Sequence, residues 1–213
     1  GLAALPSGSI VAAGDFSSAN GQPATAIVAL DPVTGATDTS FDLTVENRLS
    51  SGVLRIEDLS IGGDYLYLGG AFTHMRGGGR TAFNYMRGLG RVALTNGRTD
   101  SGWNPELNGT VLAVDTNNDG SRVYASGYFG ASRGVETKRA AAVEAAVGAP
   151  LAEPHWQPVW SSSSNDYQRA IRTEGERVWV GGSEHSMFSF SVTDFSRLST
   201  SITDSKGDLQ TIE

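Results

Sequence analysis

Along the chain, short runs of β-branched, aromatic and alanine residues alternate with breaks rich in glycine, asparagine and proline. Ile10-Val11-Ala12, Tyr65-Leu66-Tyr67-Leu68, Val123-Tyr124-Ala125 and Val178-Trp179-Val180 are bounded by turn residues and are too short for stable helices. They predict strands. Each leads into an anchor: Ala13-Gly14-Asp15-Phe16, Gly69-Gly70-Ala71-Phe72, Ser126-Gly127-Tyr128-Phe129 and the weaker Gly181-Gly182-Ser183. Successive anchor glycines stand 56, 57 and 55 residues apart. That period suits one multistranded unit of a repeat array.

A partner strand follows in three units, over residues 26–30, 91–94 and 140–143. It runs into Asp31-Pro32-Val33-Thr34-Gly35, Thr95-Asn96-Gly97 or Val147-Gly148, and Asn-Gly favours a hairpin because it tolerates positive φ. The alanine-rich residues 139–146 have the composition for two helical turns, but the repeat places a strand there. Phe41, Trp103-Asn104-Pro105 and Trp156-Gln157-Pro158 precede the next inner runs, residues 53–59, 111–114 and 167–171. These large side chains read first as wedges between neighbouring sheets, and otherwise as an exposed ligand platform. Val111-Leu112-Ala113-Val114 lacks a clean alternation, as expected of a strand covered on both faces.

The fold class expected is all-β: a β-propeller, or a fragment of a larger one, with about four blade-like repeats. One repeat domain, 1–213, accounts for the chain, with both ends expected to be incomplete. The start enters a unit late, and Leu209-Gln210-Thr211-Ile212-Glu213 would open another.

The unit formed by residues 11–16, Gly21-Gln22-Pro23, residues 26–30 and residues 31–35 resembles those of secreted actinobacterial β-propeller proteins of the delta-60-repeat kind. Residues 65–72, residues 91–97 and Trp103-Asn104-Pro105 make a second close copy. The fourth unit departs, with Glu184-His185-Ser186-Met187-Phe188 in place of the glycine-rich turn. The resemblance implies a secreted or cell-surface repeat protein and little about reaction chemistry. Propeller oxidases are a further comparison, but their thioether radical needs a cysteine.

Composition narrows the function classes. Charged residues are 18 % of the chain and the formal charge is -7, without a concentrated basic stretch, which argues against nucleic-acid binding. The absence of cysteine excludes disulfides, thiol nucleophiles and cysteine-ligated metals. No apolar run is long enough to insert across a membrane as a helix. The first residues lack the pattern of a signal peptide.

Several positions carry candidate chemistry. Asp115, Asn117 and Asp119, followed by Gly120, are spaced like the start of a calcium loop, though Ser126 stands where the full motif has an acid. A plain hairpin turn is the competing reading. Glu184 and His185, with Asp194 or Asp208, would form an acid–base pair if the fold gathered them, against ordinary loop residues. His74, His155 and His185 are far apart in sequence. Phe72 and Leu94 are 22 positions apart, against 14 for Phe16 and Leu30. The inserted stretch holds His74, Met75, Arg76, Arg80, Phe83, Tyr85 and Arg87. Of these, Arg76, Arg80, Tyr85 and Arg87 are the ligand-binding candidates: tyrosine to stack on a sugar ring, arginine to hold a carboxylate. A packed surface loop is the alternative. Ser161 to Ser164 read as a flexible connection, and Asn108-Gly109-Thr110 as a glycosylation-type sequon without an assigned modification.

The expected function is a noncatalytic extracellular recognition or assembly module whose partner is a surface glycan or a protein, including an adjacent propeller segment. The alternatives are a propeller-face hydrolase or lyase using carboxylate and histidine, with Asp115 and Asp119 as further contributors, and a purely structural scaffold.

Overall fold

The computed structural model describes residues 1–160, 167–202 and 207–212. Residues 161–164, read above as a flexible connection, lie outside them. No helix occurs among the described residues. The strands build four principal antiparallel sheets, each from consecutive chain segments. Sheet one holds Leu2–Ala4, Ile10–Ala13 and Ile27–Leu30; sheet two holds Arg55–Gly62, Tyr65–Ala71 and Leu89–Ala93. Sheet three holds Val111–Thr116, Arg122–Gly127 and Ala140–Glu144; sheet four holds Gln168–Glu174, Arg177–Gly182, Ser186–Ser191 and Arg197–Ile202. In the first three sheets the fourth strand shrinks to single bridges, Leu30 to Thr37, Val92 to Thr99 and Val143 to Leu151. The alanine-rich segment is a strand, as its place in the repeat requires.

The sheets stack flank to flank, with their first strands side by side about a common axis. Three hydrophobic cores fill the three joints. Val11, Ile27, Phe41, Leu66 and Leu68 meet between sheets one and two; Tyr67, Trp103, Val111 and Val143 between two and three; Tyr124, Trp156, Val180 and Phe190 between three and four. Phe41, Trp103 and Trp156 are all buried, so the recurring aromatics are wedges. Burying each such side chain is worth about 1.5–3 kcal/mol before the cost of ordering it.

The anchor glycines have a common cause. At Gly70, Gly127 and Gly182 a Cβ would collide with backbone at the start of the same sheet's first strand: Arg55 O, Thr110 O and Tyr167 O. The first strand of each of these sheets also carries a bulge near its start, between Ile56 and Asp58, Val111 and Ala113, and Gln168 and Ala170. Glu57, Leu112 and Arg169 are the residues left without ladder partners.

The two ends of the sheets differ. One end carries tight turns such as Gly63-Asp64, residues 117–121 and Gly175-Glu176. The other carries long connections with structure of their own: the hairpins Ser18–Ala19 with Gln22–Pro23 and Ala131–Ser132 with Val135–Glu136, and a three-stranded insert of Asn84–Tyr85, His74–Gly77 and Leu43–Glu46. This second end is the loop face.

Candidate functional site

The insert is the largest elaboration of the loop face. Its register places Tyr85 opposite His74 and His74 opposite Glu46, with Thr44 opposite Arg76. Because side chains alternate across a strand, these five residues share one face. Val45 and Met75 point the other way and are buried in the core between sheets one and two. The amide of Asn84, on that inner side, donates to Thr99 Oγ1 (2.7 Å) and pins the insert to sheet two.

The outward face is aromatic and cationic. Tyr85 is 43 % exposed, and its ring meets His74 edge-on at 5.5 Å. Arg48 and Arg76 each lie 4.8 Å from the Phe83 ring centroid. Arg48 is ion-paired to Glu46 (2.7 Å); Arg76 has no ion pair among the described residues. His74 Nδ1 shares a hydrogen with Thr73 Oγ1 (2.8 Å). Partial burial, helped by the Arg48 charge, lowers the pKa of the imidazole, so it is neutral at pH 7.

The structure divides the four predicted ligand residues. Arg76 and Tyr85 share the exposed face. Arg80 sits at the exposed tip beyond Gly77, to whose carbonyl its amide donates. Arg87 turns away: its Nη2 donates to Asn108 O (2.8 Å), tying the insert to the entry of sheet three. Sequence reasoning did not find Arg48, Glu46 and Thr44. They come from a separate segment whose only signal was a short β-branched run.

A second concave region runs along the common axis. A cavity of about 850 Å³ is lined by first-strand residues including Asp58, Ser60, Asp115, Arg172 and Thr173. Its carboxylates lace neighbouring sheets together. Asp58 Oδ2 accepts from Val114 N–H (2.9 Å), and Asp115 Oδ2 accepts from Thr173 N–H (2.6 Å) and Oγ1–H (2.8 Å). Burial raises the pKa of Asp58, and its backbone hydrogen bonds only partly offset that.

The calcium-like trio is dispersed by these contacts. Asp115 is buried in a strand and committed to Thr173, whereas Asn117 and Asp119 cap the turn at the opposite end from the insert, accepting from Arg122 N–H and Ser121 N–H. The segment is therefore a hairpin. No group of three His, Asp or Glu residues suited to a metal occurs among the described residues.

Glu184 and His185 fall in the tight loop-face turn of sheet four. His185 Nδ1 meets the carbonyl (2.6 Å) and amide (2.9 Å) of Gly207. Asp208 beside it accepts from the Tyr167 hydroxyl, which pushes the phenol pKa up to about 12. Asp194 lies in the turn at the far end of Ser186–Ser191 and caps Ser196. Glu184, His185 and Asp208 thus lie at the loop-face end of sheet four, with Asp194 at its opposite end and Asp119 at the turn end of sheet three, and His74 and His155 belong to other segments.

Residues 5–41 match the family model described as a domain of unknown function (DUF5122) beta-propeller. The fold is a β-propeller. Among solved structures the chain is similar to the β-propeller domain of Cps50 (Swd1) from Myceliophteria thermophila, with 12 % identity and a TM-score of 0.58 over 88 % of this chain and 52 % of that one. It thus spans about half the length of that propeller domain. A chain of the mitotic checkpoint complex aligns at 10 % identity and a TM-score of 0.40, over 91 % of this chain and 62 % of that one. No curated protein matches. Each principal sheet is accordingly a blade.

Proposed function

We propose that this propeller is a noncatalytic recognition module, secreted or displayed at the cell surface, whose insert face binds a carboxylate-bearing partner, either a protein segment or a surface glycan. The carrying observation is the register that brings Tyr85, His74, Arg76 and Glu46 onto one exposed face, with Phe83 beside two guanidiniums. Arg76 supplies a planar donor fork for a carboxylate. Tyr85 supplies a flat apolar surface with a polar tip. Blades hold the insert rigid from beneath through Met75 and Val45, so little ordering cost falls on binding. The dispersion of Asp115, Asp119, Glu184 and His185 weighs against the hydrolase or lyase reading. The placement of the surface in this reading rests on the resemblance of the repeat.

Acidic peptide and uronate-containing oligosaccharide arrays probed with the labelled protein test the proposal. Arg76→Ala and Tyr85→Ala should each weaken the signal on the order of 10-fold or more, while Asp119→Ala on the turn end leaves it unchanged. Binding that survives both insert substitutions in a folded protein rejects this surface.

A further inference from the structure

Blades one and two finish their outer rims differently. In both, an aspartate just past the bridge to the short fourth segment donates its amide to the third strand: Asp38 N–H to Ala29 O (2.8 Å) and Asp100 N–H to Arg91 O (3.2 Å). Ala29 therefore corresponds to Arg91, Asp38 to Asp100 and Thr37 to Thr99. In blade two the Arg91 guanidinium pairs with Asp100, and Asn84 of the insert closes over Thr99, which is 2 % exposed. Blade one has no guanidinium at that place, and Thr37 is exposed.

A groove of about 750 Å³ opens there, walled by blade one, the linker to blade two and the rim of blade two. That volume is in the range of ligand clefts. Ile27, Ala29 and Phe41, all members of the core between these two blades, form the floor. The hairpin through Gln22–Pro23 forms one wall, fixed by the Asn20 amide, which donates to Gly35 O. Asp38, Asp42 and the tip of the insert at Gly78-Gly79 form the other.

Backbone and charge both face this groove unmatched. Gly14 N–H donates to Ala26 O (3.0 Å), so Ala26, Val28 and Leu30 turn their backbone groups to the second strand, while Ile27 and Ala29 turn theirs outward. Of these outward groups only Ala29 O is used among the described residues, by Asp38. In blade four the equivalent Met187 and Ser189 are opposed by Ser201 and Ser199 of a complete fourth strand. No lysine or arginine lines the groove, and residues 10–47 hold five carboxylates and neither cation. Hydrogen bonds from Ser40 and Ser9 lower the pKa of Asp38 and keep it ionised.

We infer that this groove receives an extended, arginine-bearing segment of a partner protein, added to blade one as the strand that the linker leaves short. The segment's backbone pairs with Ile27 and Ala29, its apolar side chains cover the floor, and its guanidinium meets the Asp38 and Asp42 carboxylates. Main-chain pairing at a sheet edge supplies affinity and the side chains supply selectivity. The site is independent of the insert face: that surface takes a carboxylate and this one a cation, so the tests of the two succeed or fail separately.

A panel of hexapeptides alternating threonine and valine, with one arginine moved through all six positions, probes the groove by amide resonance shifts up to about 1 mM peptide. At least one member should give saturable shifts at Ile27, Ala29 and Asp38 and slow hydrogen exchange of the Ile27 and Ala29 amides on the order of 10-fold. Glutamate in place of its arginine should weaken binding about 10-fold or more. Ala29→Arg supplies the guanidinium from within, as in blade two, and should abolish binding without lowering the denaturation midpoint. Asp38→Asn keeps the serine contacts and should weaken binding about 5-fold, which carries the test if Ala29→Arg does not fold. The inference is overturned if no member shifts Ile27 and Ala29, if the glutamate versions bind equally well, or if Asp38→Asn and a folded Ala29→Arg bind as the wild type does.

Discussion

The joint between blades two and three and the joint between three and four perform the same task with residues in different places. In the first, the guanidinium comes from the third strand. Arg91 pairs with Asp100 (2.7 Å), donates to Tyr67 Oη (3.3 Å) and reaches across to Ala145 O (2.7 Å). Its charge lies 3.9 Å from the Tyr65 ring centroid. In the second it comes from the second strand. Arg122, at the position of Tyr65, pairs with Glu144 (2.7 Å) and reaches Val192 O (2.8 Å), while Ala142 takes the place of Arg91. Ala145 and Val192 are themselves equivalent, each donating its amide to the turn between the first two strands of its blade. What the repeat preserves is a guanidinium on that one carbonyl, and either strand can deliver it.

The largest effects should come from the wedges. Trp103→Ala and Trp156→Ala should each cost about 3–5 kcal/mol in chemical denaturation. Phenylalanine separates the joints: Trp103 Nε1 donates to Glu144 O (2.9 Å), whereas Trp156 Nε1 is buried without an acceptor among the described residues. Trp103→Phe should therefore cost about 1 kcal/mol more than Trp156→Phe. Equal losses would mean that the indole hydrogen bond contributes nothing.

Next come the arginines. The Arg91 side chain is 5 % exposed and that of Arg122 is 20 %. Arg91→Met should cost about 3 kcal/mol, and the more solvated Arg122→Met about 1–2 kcal/mol. The double change Arg122→Tyr with Ala142→Arg rebuilds the joint between blades three and four in the form of that between two and three. It should recover most of the stability lost by Arg122→Tyr alone; no recovery would show that the two forms are not interchangeable.

The smallest effect is alkaline. Burial raises the pKa of the Tyr67 and Tyr124 phenols, so the folded state holds their protons more tightly than the unfolded chain. Their contribution is complete below the unfolded value of about 10 and is lost as pH rises through the folded values. Denaturation midpoints should fall above pH 10, and Tyr67→Phe and Tyr124→Phe should each flatten that fall. A slope unchanged in both variants would place the alkaline sensitivity elsewhere.

These joints mark the limit of what the sequence discloses. Gly70, Gly127 and Gly182 were legible because one steric demand, close passage of the first strand, recurs at one spacing. Trp103 and Trp156 were legible for the same reason. Arg91 and Arg122 were not, since they occupy different repeat positions and converge only across a joint. Asp115 misled in a related way: a local oxygen-rich pattern suggested one cation, but the strand ends inside the pattern and sends its first carboxylate into the next blade. The insert was visible as surplus length between Phe72 and Leu94. Its third strand, Leu43–Glu46, arrives from the preceding linker and carried no matching signal.

The bulges have an evolutionary consequence. Glu57, Leu112 and Arg169 stand at the same point of three blades and all border the axial cavity. Lacking ladder partners, they are free to differ without shifting any pairing, and here they supply an acid, a hydrocarbon and a base in succession. The lumen can thus be re-lettered one blade at a time while the masonry around it stays unchanged.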